Sequence, residues 1–379
     1  MRPPARSSTA TPATLATFDT HSRPSAGIRF ARLAPGTRIA WAASGRGPPL
    51  VRVAHWMTHV EQDLQSPLWG PWLARLNHSV QLVRYDERGC GLSGADSAEL
   101  GLNAAVEELE AVVDAVFEAT GHTQVALLGM SGAGAPAIAY AARHPERVSH
   151  LVLHGAYACG LLHRSPTAAQ LQMFEATVKL MELGWGRADA AVQQFLTTSF
   201  IPDSSPSQAA AFTEQQRLSC GGPRAAAIFR ARVALDVRAL LAQVRCPTLV
   251  LHCEGDAMVP IELGRTLAAQ IDGARFETLA SRNHIPLAGE PAFERFCDAV
   301  REFVAPPARL QGVGLTRGFT PREAQLMALV ASGQDNLQIA AHLGVTDKTV
   351  RNSLSKLYAK LGVEGRPMAV VRTRELGFG

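Results

Sequence analysis

The chain has 379 residues, of which 47% are hydrophobic and 18% are charged. This composition excludes a wholly disordered protein and allows two or three domains with a large buried core. No apolar run approaches the ~20 residues that span a bilayer, and the N-terminus lacks the apolar segment of a secretory signal, so no membrane partner is expected. The six cysteines are scattered without disulfide or metal-ligand spacing, which favours a reduced, cytoplasmic bacterial protein.

The sequence up to residue 304 predicts a tail followed by an α/β domain. Residues 1–26 are rich in Ser, Thr, Ala and Pro, which predicts a disordered tail. From residue 27 to residue 304, short apolar runs alternate with amphipathic helical stretches. This alternation is typical of a doubly wound, mostly parallel sheet covered by helices. The predicted strands are Arg38–Ser44, Leu50–His55, Val80–Tyr85, Val125–Gly129, Val148–His154, Thr248–His252 and Arg275–Leu279.

The alternation stops between residues 157 and 238. The pattern there is helical, with breaks at Pro166, Pro202 and Pro223, and it predicts a group of helices over one end of the sheet. Residues 305–318 are dense in Pro and Gly and therefore predict a linker. Residues 319–379 then form a second, small all-α domain.

One serine follows a strand directly and precedes a helix. The pattern around Ser131 is Gly-x-Ser-x-Ala, whose small residues suit a strained turn. A serine acts as a nucleophile only with a base and an acid that orients the base. Asp256 and His284 each follow a later predicted strand, so the three side chains are expected at the same edge of the sheet.

The order Ser, Asp, His resembles the α/β-hydrolase family from about residue 27 to residue 303, as does the stretch Asp86-Glu87-Arg88-Gly89-Cys90-Gly91-Leu92-Ser93. The resemblance implies an α/β-hydrolase fold with a helical cap at 157–238. It also implies a catalytic triad of Ser131, Asp256 and His284, and an oxyanion hole made by the N–H groups of Gly132 and Trp56. Relatives have His-Gly where this chain has His55-Trp56, and the indole is expected to narrow the pocket. No phosphate-binding loop or metal-ligand pattern is visible, so neither a cofactor nor a metal is expected.

The C-terminal segment carries the net charge of the chain. Residues 316–379 contain nine Lys or Arg and five Asp or Glu, which equals the net charge of +4 of the whole protein. A basic segment on a neutral body indicates a polyanionic partner for that segment alone. Its first helix is predicted to begin at the capping box Thr320-Pro321-Arg322-Glu323 and to run to Ser332. Further helices are predicted over Asn336–His342, Asp347–Leu361 and Pro367–Leu376.

The helix Asp347–Leu361 has two distinct faces. Apolar residues recur at helical spacing and predict a buried stripe, namely Val350, Leu354, Leu357 and Leu361. A second face carries residues that hydrogen-bond base edges and phosphates, namely Lys348, Arg351, Asn352 and Ser355. A short helix, a glycine turn and a capped basic helix in succession favour a helix-turn-helix over a merely solvated face.

This segment resembles the LuxR/GerE family of DNA-binding domains over its whole length. The matching stretches are Ile339-Ala340, Leu343-Gly344-Val345, Lys348-Thr349-Val350-Arg351-Asn352 and Lys360-Leu361-Gly362-Val363. The resemblance implies two sets of contacts. Those facing bases are Arg351, Asn352 and Ser355; those approaching phosphates are Lys348, Thr349, Lys356 and Lys360. It further implies a homodimer through the apolar residues Ala369, Val370 and Leu376 of the last helix, reading inverted half-sites about one helical turn apart.

Together the two modules predict a transcription regulator. The hydrolase-like domain would sense a small molecule near Ser131 and His284, while the C-terminal domain binds double-stranded promoter DNA, with RNA polymerase as a partner if the protein is an activator. The alternative is a serine hydrolase (an esterase, lactonase or amidase) with an accessory DNA-binding tail. Both hold if hydrolysis resets the signal. The ligand, the operator and turnover by the triad stay open at this point.

Overall fold

The computed structural model describes residues 27–33, 36–95, 100–186, 191–305 and 320–375. The chain divides into two compact units, residues 1–304 and residues 305–379. The predicted N-terminal tail, and the predicted linker beyond residue 305, lie outside the described residues. Within those residues, no helix is long and apolar enough to cross a membrane.

A mixed sheet of eight strands among the described residues forms the centre of the first unit, in the order β1-β2-β4-β3-β5-β6-β7-β8. β1 and β2 are antiparallel to their neighbours, and β3 to β8 are parallel to one another. The strands are β1 (Arg29–Arg32), β2 (Arg38–Gly45), β3 (Pro49–Arg52), β4 (Gln81–Tyr85), β5 (Val125–Met130), β6 (Val148–His154), β7 (Thr248–Cys253) and β8 (Arg275–Leu279).

Helices cover both faces of this sheet. The helices of the first unit are α1 (Trp69–Leu76), α2 (Leu102–Thr120), α3 (Gly134–Arg143), α4 (Ala168–Gly184), α5 (Ala191–Phe200), α6 (Pro206–Ser219), α7 (Gly222–Val233), α8 (Ile261–Gln270) and α9 (Pro291–Val304). α2, α3 and α8 share one hydrophobic core with the sheet. α1 and α9 meet on the opposite face, where Trp72 contacts Phe293 and Phe296. Because both faces are covered, every residue of β5 and β7 is buried.

The predicted fold class is confirmed, with small differences at the strand ends. β6 and β8 have the predicted bounds, and α4 to α7 form the predicted cap. β3 ends at Arg52, three residues before the predicted end, because the chain leaves the sheet there and enters the loop that carries Trp56. β1 was not predicted, since its sequence RFAR has neither an apolar run nor polar–apolar alternation. The strand forms by pairing with β2.

The second unit is a small helical domain of α10 (Pro321–Ala331), α11 (Asn336–Leu343), α12 (Asp347–Leu361) and α13 (Arg366–Glu375). Thr320 and Asp335 form capping boxes, and Thr346 caps α12. Gly344 and Gly362 end their helices in the left-handed conformation, with φ of 64° and 68°. The caps therefore fix the helix boundaries close to the predicted positions, and for α12 at the same residues.

Candidate ligand site and DNA-binding surface

Ser131 lies in the tight turn between β5 and α3. Its φ of 52° is left-handed, a conformation that is strained for a residue with a side chain. Small neighbours make this turn possible: a Cβ on Gly129 would lie 2.8 Å from Gly134 Cα, and a Cβ on Gly134 would lie 2.6 Å from Ala156 Cβ. The turn thus holds the serine at the carboxyl edge of the sheet, where α/β proteins bind ligands.

Asp256 and His284 lie on the loops after β7 and β8 and contact each other. His284 Nδ1 donates to Asp256 Oδ2 at 2.7 Å, and Asp256 Oδ1 accepts the N–H groups of Met258 and Val259 at 2.8 Å each. Burial acts to raise the pKa of Asp256, but attraction to His284 and these hydrogen bonds outweigh burial and lower the pKa. The aspartate is therefore an ionised acceptor that orients His284. Among the described residues, the Ser131 hydroxyl has no hydrogen-bond partner.

Two histidines that the sequence interpretation did not include support this pair from behind. His252 Nε2 is 3.5 Å from Asp256 Oδ2 and donates to the Val259 carbonyl at 2.9 Å. His154 Nε2 donates to the His284 carbonyl at 2.8 Å. Both are polar residues at the carboxyl ends of buried apolar strands, and that position is the signal that would have revealed them.

His154 is expected to make the protein sensitive to acid. Its side chain is fully buried, its Nδ1 has no partner among the described residues, and burial lowers its pKa to about 3. In the unfolded chain His154 binds a proton more readily than in the folded protein. The contribution of neutral His154 to the free energy of unfolding is therefore intact above about pH 6.5 and declines as the pH falls. We expect a loss of about 2 kcal/mol of unfolding free energy at about pH 5 from this residue alone.

The test compares the pH dependence of urea unfolding in His154→Gln and wild type. The glutamine amide can keep the bond to the His284 carbonyl but takes up no proton, so the variant is expected to lose this part of the acid sensitivity. The exposed His122→Gln serves as the control and is expected to follow wild type. An unchanged slope in His154→Gln would show that His154 is not the source.

The loop after β3 carries Trp56 into the space between sheet and cap. The Trp56 indole N–H donates to Gln216 Oε1 of α6 at 3.0 Å, and the ring stacks on Phe200 of α5 with centroids 6.1 Å apart. The next residue, Met57, has a left-handed φ of 52°. A strained, non-glycine backbone is thus held in place by contacts between the loop and the cap.

The predicted Asp-x-Arg-Gly stretch anchors the same loop. The Asp86 carboxylate accepts the N–H groups of Val60 at 2.8 Å and of Leu92 at 2.9 Å. Gly91 is required here, because a Cβ would lie 2.1 Å from Asp86 Oδ2 and its φ is 51°. The motif therefore supports the loop of Trp56 and does not itself line the cavity.

A cavity of about 230 Å³ lies between the cap and the carboxyl edge of the sheet. An apolar protein cavity of ~150 Å³ is enough for benzene, so this space suits a small, single-ring-sized ligand. Its walls bring together the predicted Ser131, Gly132 and Trp56 with residues that were not predicted. These further residues are Ala133, Tyr157, Leu161, Arg164, Leu196, Phe200, Phe229, Arg232, Val233, Met258 and Val259.

His284 lies beside this cavity. Its ring centroid is 5.6 Å from the ring centroid of Phe200. Its backbone N–H donates to the Phe200 carbonyl at 2.8 Å. Met258 and Val259, whose N–H groups bond Asp256, are themselves cavity walls. Ser131 is therefore a wall of this cavity, and the Asp256–His284 pair contacts three of its other walls, Phe200, Met258 and Val259.

On the second unit, α12 shows the two predicted faces. Its buried residues are Val350, Leu354, Leu357 and Leu361. Its exposed residues include all seven predicted DNA contacts, Lys348, Thr349, Arg351, Asn352, Ser355, Lys356 and Lys360. Two of these also form ion pairs within the domain: Arg351 with Asp347 one turn earlier, and Lys360 with Glu323 of α10 at 2.9 Å.

Ala369 of the last helix was predicted to contact a second subunit, but it packs inside its own domain. Ala369 is fully buried in the domain core, where α13 packs against α10, so it is unavailable to a partner. Val370 is half-buried, and Leu376 lies outside the described residues. The exposed apolar side chains of α13 are instead Met368 and Val371.

Comparison with known proteins places both units in families. The family described as serine aminopeptidase, S33, matches residues 72–285, which is more than half of the chain. The chain belongs to the serine aminopeptidase S33 family. The family described as bacterial regulatory proteins, luxR family, matches residues 317–373, so the S33 hydrolase domain is joined to a LuxR-type DNA-binding domain.

Individual relatives match one unit or the other. Pyrrolizixenacetamide deacetylase from Xenorhabdus hominickii is 25% identical over 271 residues, 70% of this chain and 94% of that protein. Spore germination protein GerE from Bacillus subtilis is 40% identical over 59 residues, 16% of this chain and 80% of that protein. An esterase structure from Exiguobacterium antarcticum has a TM-score of 0.61 at 20% identity, over 73% of this chain and 98% of that chain. The S33 hydrolase domain thus has the fold of such enzymes.

Proposed function

We propose that this protein is a transcription regulator whose S33 hydrolase domain binds a small molecule in the cavity beside Ser131 and whose LuxR-type domain binds promoter DNA. The observation that carries the proposal is the presence, on one chain, of a small cavity and an exposed basic helix, α12. A ligand alters DNA binding only if it binds two states of the protein with different affinity. The cap contributes much of the cavity wall, so ligand binding and cap position are expected to be linked.

The DNA-binding form is proposed to be a homodimer on inverted half-sites of a promoter. Met368 and Val371, exposed on α13 at helical spacing, supply an apolar patch for the second subunit. RNA polymerase is a further proposed partner if the regulator activates transcription.

The DNA-binding residues are tested by two substitutions on α12. Arg351→Ala is expected to weaken binding to the specific site by about 1–3 kcal/mol and to relax the preference at one base pair. Lys356→Ala is expected to weaken binding to every sequence alike and to lower the salt slope by about one, because it removes a phosphate contact. Fluorescence anisotropy over a salt series, on specific and scrambled duplexes, separates the two effects.

The control for these two substitutions is Glu364→Gln, which also changes the charge at one exposed position, on the loop before α13. The proposed orientation of α12 is wrong if Arg351→Ala and Lys356→Ala both follow wild type across the salt series.

A second candidate function is hydrolysis with Ser131 as the nucleophile. The strained φ of Ser131 and the Asp256–His284 hydrogen bond favour it. Ser131 Oγ would attack a carbonyl carbon and pass its proton to His284, while the N–H groups of Gly132 and Trp56 bind the oxyanion. Collapse would expel the alcohol or amine with the proton from His284. Water would then attack the acyl-serine by the same route, release the acid and restore Ser131. Ester, lactone or amide substrates are proposed, in keeping with relatives named as a deacetylase and an esterase.

A further inference from the structure

The charged side chains that line the cavity beside Ser131 are arginines only. Arg164 and Arg232 are both cavity walls, and no aspartate or glutamate is among the described residues that line it. Arg232, on α7, has its charge balanced: its Nη2 donates to Glu87 Oε2 at 2.9 Å, and both side chains are almost fully buried. It also lies close to the oxyanion region, since a Cβ on Gly132 would be 2.8 Å from Arg232 Cδ.

Arg164 differs because its charge is not balanced by an acid. Its Nε donates to the Cys159 carbonyl at 2.7 Å, and its guanidinium lies over the Tyr157 ring, 4.5 Å from the centroid. Among the described residues no carboxylate forms an ion pair with it. These two contacts fix the plane of the guanidinium and leave both Nη groups to donate. A planar guanidinium in a fixed orientation can donate two parallel hydrogen bonds to a carboxylate.

The backbone next to Arg164 is also held in an unusual conformation. Ser165 has a left-handed φ of 52°, and Pro166 follows it directly. Left-handed, non-glycine residues persist where surrounding contacts determine them, often at ligand sites. The position of Arg164 is therefore set by its own chain segment as well as by Tyr157.

The Tyr157 hydroxyl is a further polar group of the cavity wall. A Cβ on Gly132 would lie 3.0 Å from this hydroxyl, so Tyr157 reaches the turn of Ser131 while its ring supports Arg164. Other walls of the cavity are apolar and include Phe229 of α7 and Leu196 of α5. The cavity thus combines hydrogen-bond donors with hydrocarbon walls.

We propose that the ligand of this cavity is a small organic carboxylate with an apolar body, and that Arg164 holds its carboxylate. The inference rests on the proposed function, since it names the chemical class of the ligand that the S33 hydrolase domain would sense or hydrolyse. A carboxylate would balance the charge of Arg164, while its ring or short chain would pack against the aromatic walls.

The test is calorimetric binding of two matched pairs to the full chain: benzoate against benzamide, and hexanoate against hexanamide. Each pair differs only in charge and hydrogen-bonding at one end. A hydrogen bond to a charged group contributes enough for a preference of about tenfold or more. In wild type the carboxylate of at least one pair is expected to bind at least about tenfold more tightly than its amide, and in Arg164→Gln this ratio is expected to fall below about threefold. Arg164→Lys is expected to restore part of the preference.

Arg46→Gln is the matched control. Arg46 is exposed just before β3, at the edge of the sheet opposite to the cavity, and should leave both affinities unchanged. Equal affinities for carboxylate and amide in wild type, an unchanged ratio in Arg164→Gln, or no binding of either pair would each overturn the inference. A carboxylate preference without any effect on DNA affinity would support the inference and contradict the sensor function, so the two failures are distinguishable.

Discussion

Ser131→Ala is expected to abolish covalent labelling by a fluorophosphonate probe and to lower any ester turnover by at least about a thousandfold. The expectation follows from the strained turn that holds Ser131 in the cavity wall and from the ionised Asp256 that orients His284 beside it. A fluorophosphonate reacts with a serine only where a base removes the hydroxyl proton and N–H groups bind the developing charge.

Intact-protein mass spectrometry gives the answer directly. Wild type and the control Ser207→Ala, exposed on the cap helix α6, are expected to gain one adduct each, and Ser131→Ala none. His284→Gln is expected to behave as Ser131→Ala, because the base is lost. If wild type gains no adduct, the Ser131 group is a ligand site without nucleophilic activity, and the hydrolase candidate is wrong.

Asp63→Ala is expected to lower the free energy of unfolding by about 3–5 kcal/mol. Asp63 is fully buried and pairs with two buried arginines, Arg52 of β3 and Arg84 of β4, the latter at 3.0 Å. It also accepts the amide of Gln215 of α6 at 3.1 Å. Removal of Asp63 would leave two buried positive charges without a counter-ion. It would also remove a hydrogen bond between the sheet domain and the cap.

The exposed pair of Asp203 with Arg282, 3.1 Å apart, provides the control. Asp203→Ala is expected to change the free energy of unfolding by about 0–1 kcal/mol, since exposed pairs are screened by water. Urea titrations of the three proteins test both values. A similar, small effect of both substitutions would show that the buried cluster does not depend on Asp63.

The parts of the candidate site that the sequence predicted are those fixed by local pattern. Ser131 and Asp256 each follow a fully buried strand, and apolar runs make such strands visible in the sequence. His284 follows the edge strand β8, of which Leu279 is buried. The faces of α12 were predictable because helical periodicity separates Leu354 and its buried neighbours from the exposed Arg351. In both cases the spacing along the chain determines where the side chain points.

The parts that were not predicted depend on contacts between distant segments. Arg164 and Arg232 reach the cavity only because the cap folds over the sheet, and nothing in their spacing distinguishes them from surface arginines. Ala369 shows the same limit, since an apolar residue on a helix can pack within its own domain or against a partner. β1 likewise exists only through its pairing with β2.

Occupancy of the cavity is proposed to change DNA affinity, and this effect can be tested before the natural ligand is known. The full chain would be titrated with the DNA upstream of its own gene, with the Ser131 fluorophosphonate adduct or saturating benzoate filling the cavity. Protein with a filled cavity and protein with an empty cavity are expected to differ in DNA affinity by about fivefold or more, in either direction. Arg351→Ala, treated in the same way, is expected to bind the DNA weakly in both states. Identical affinity of the filled and empty protein for a fragment that wild type binds specifically would contradict the claim.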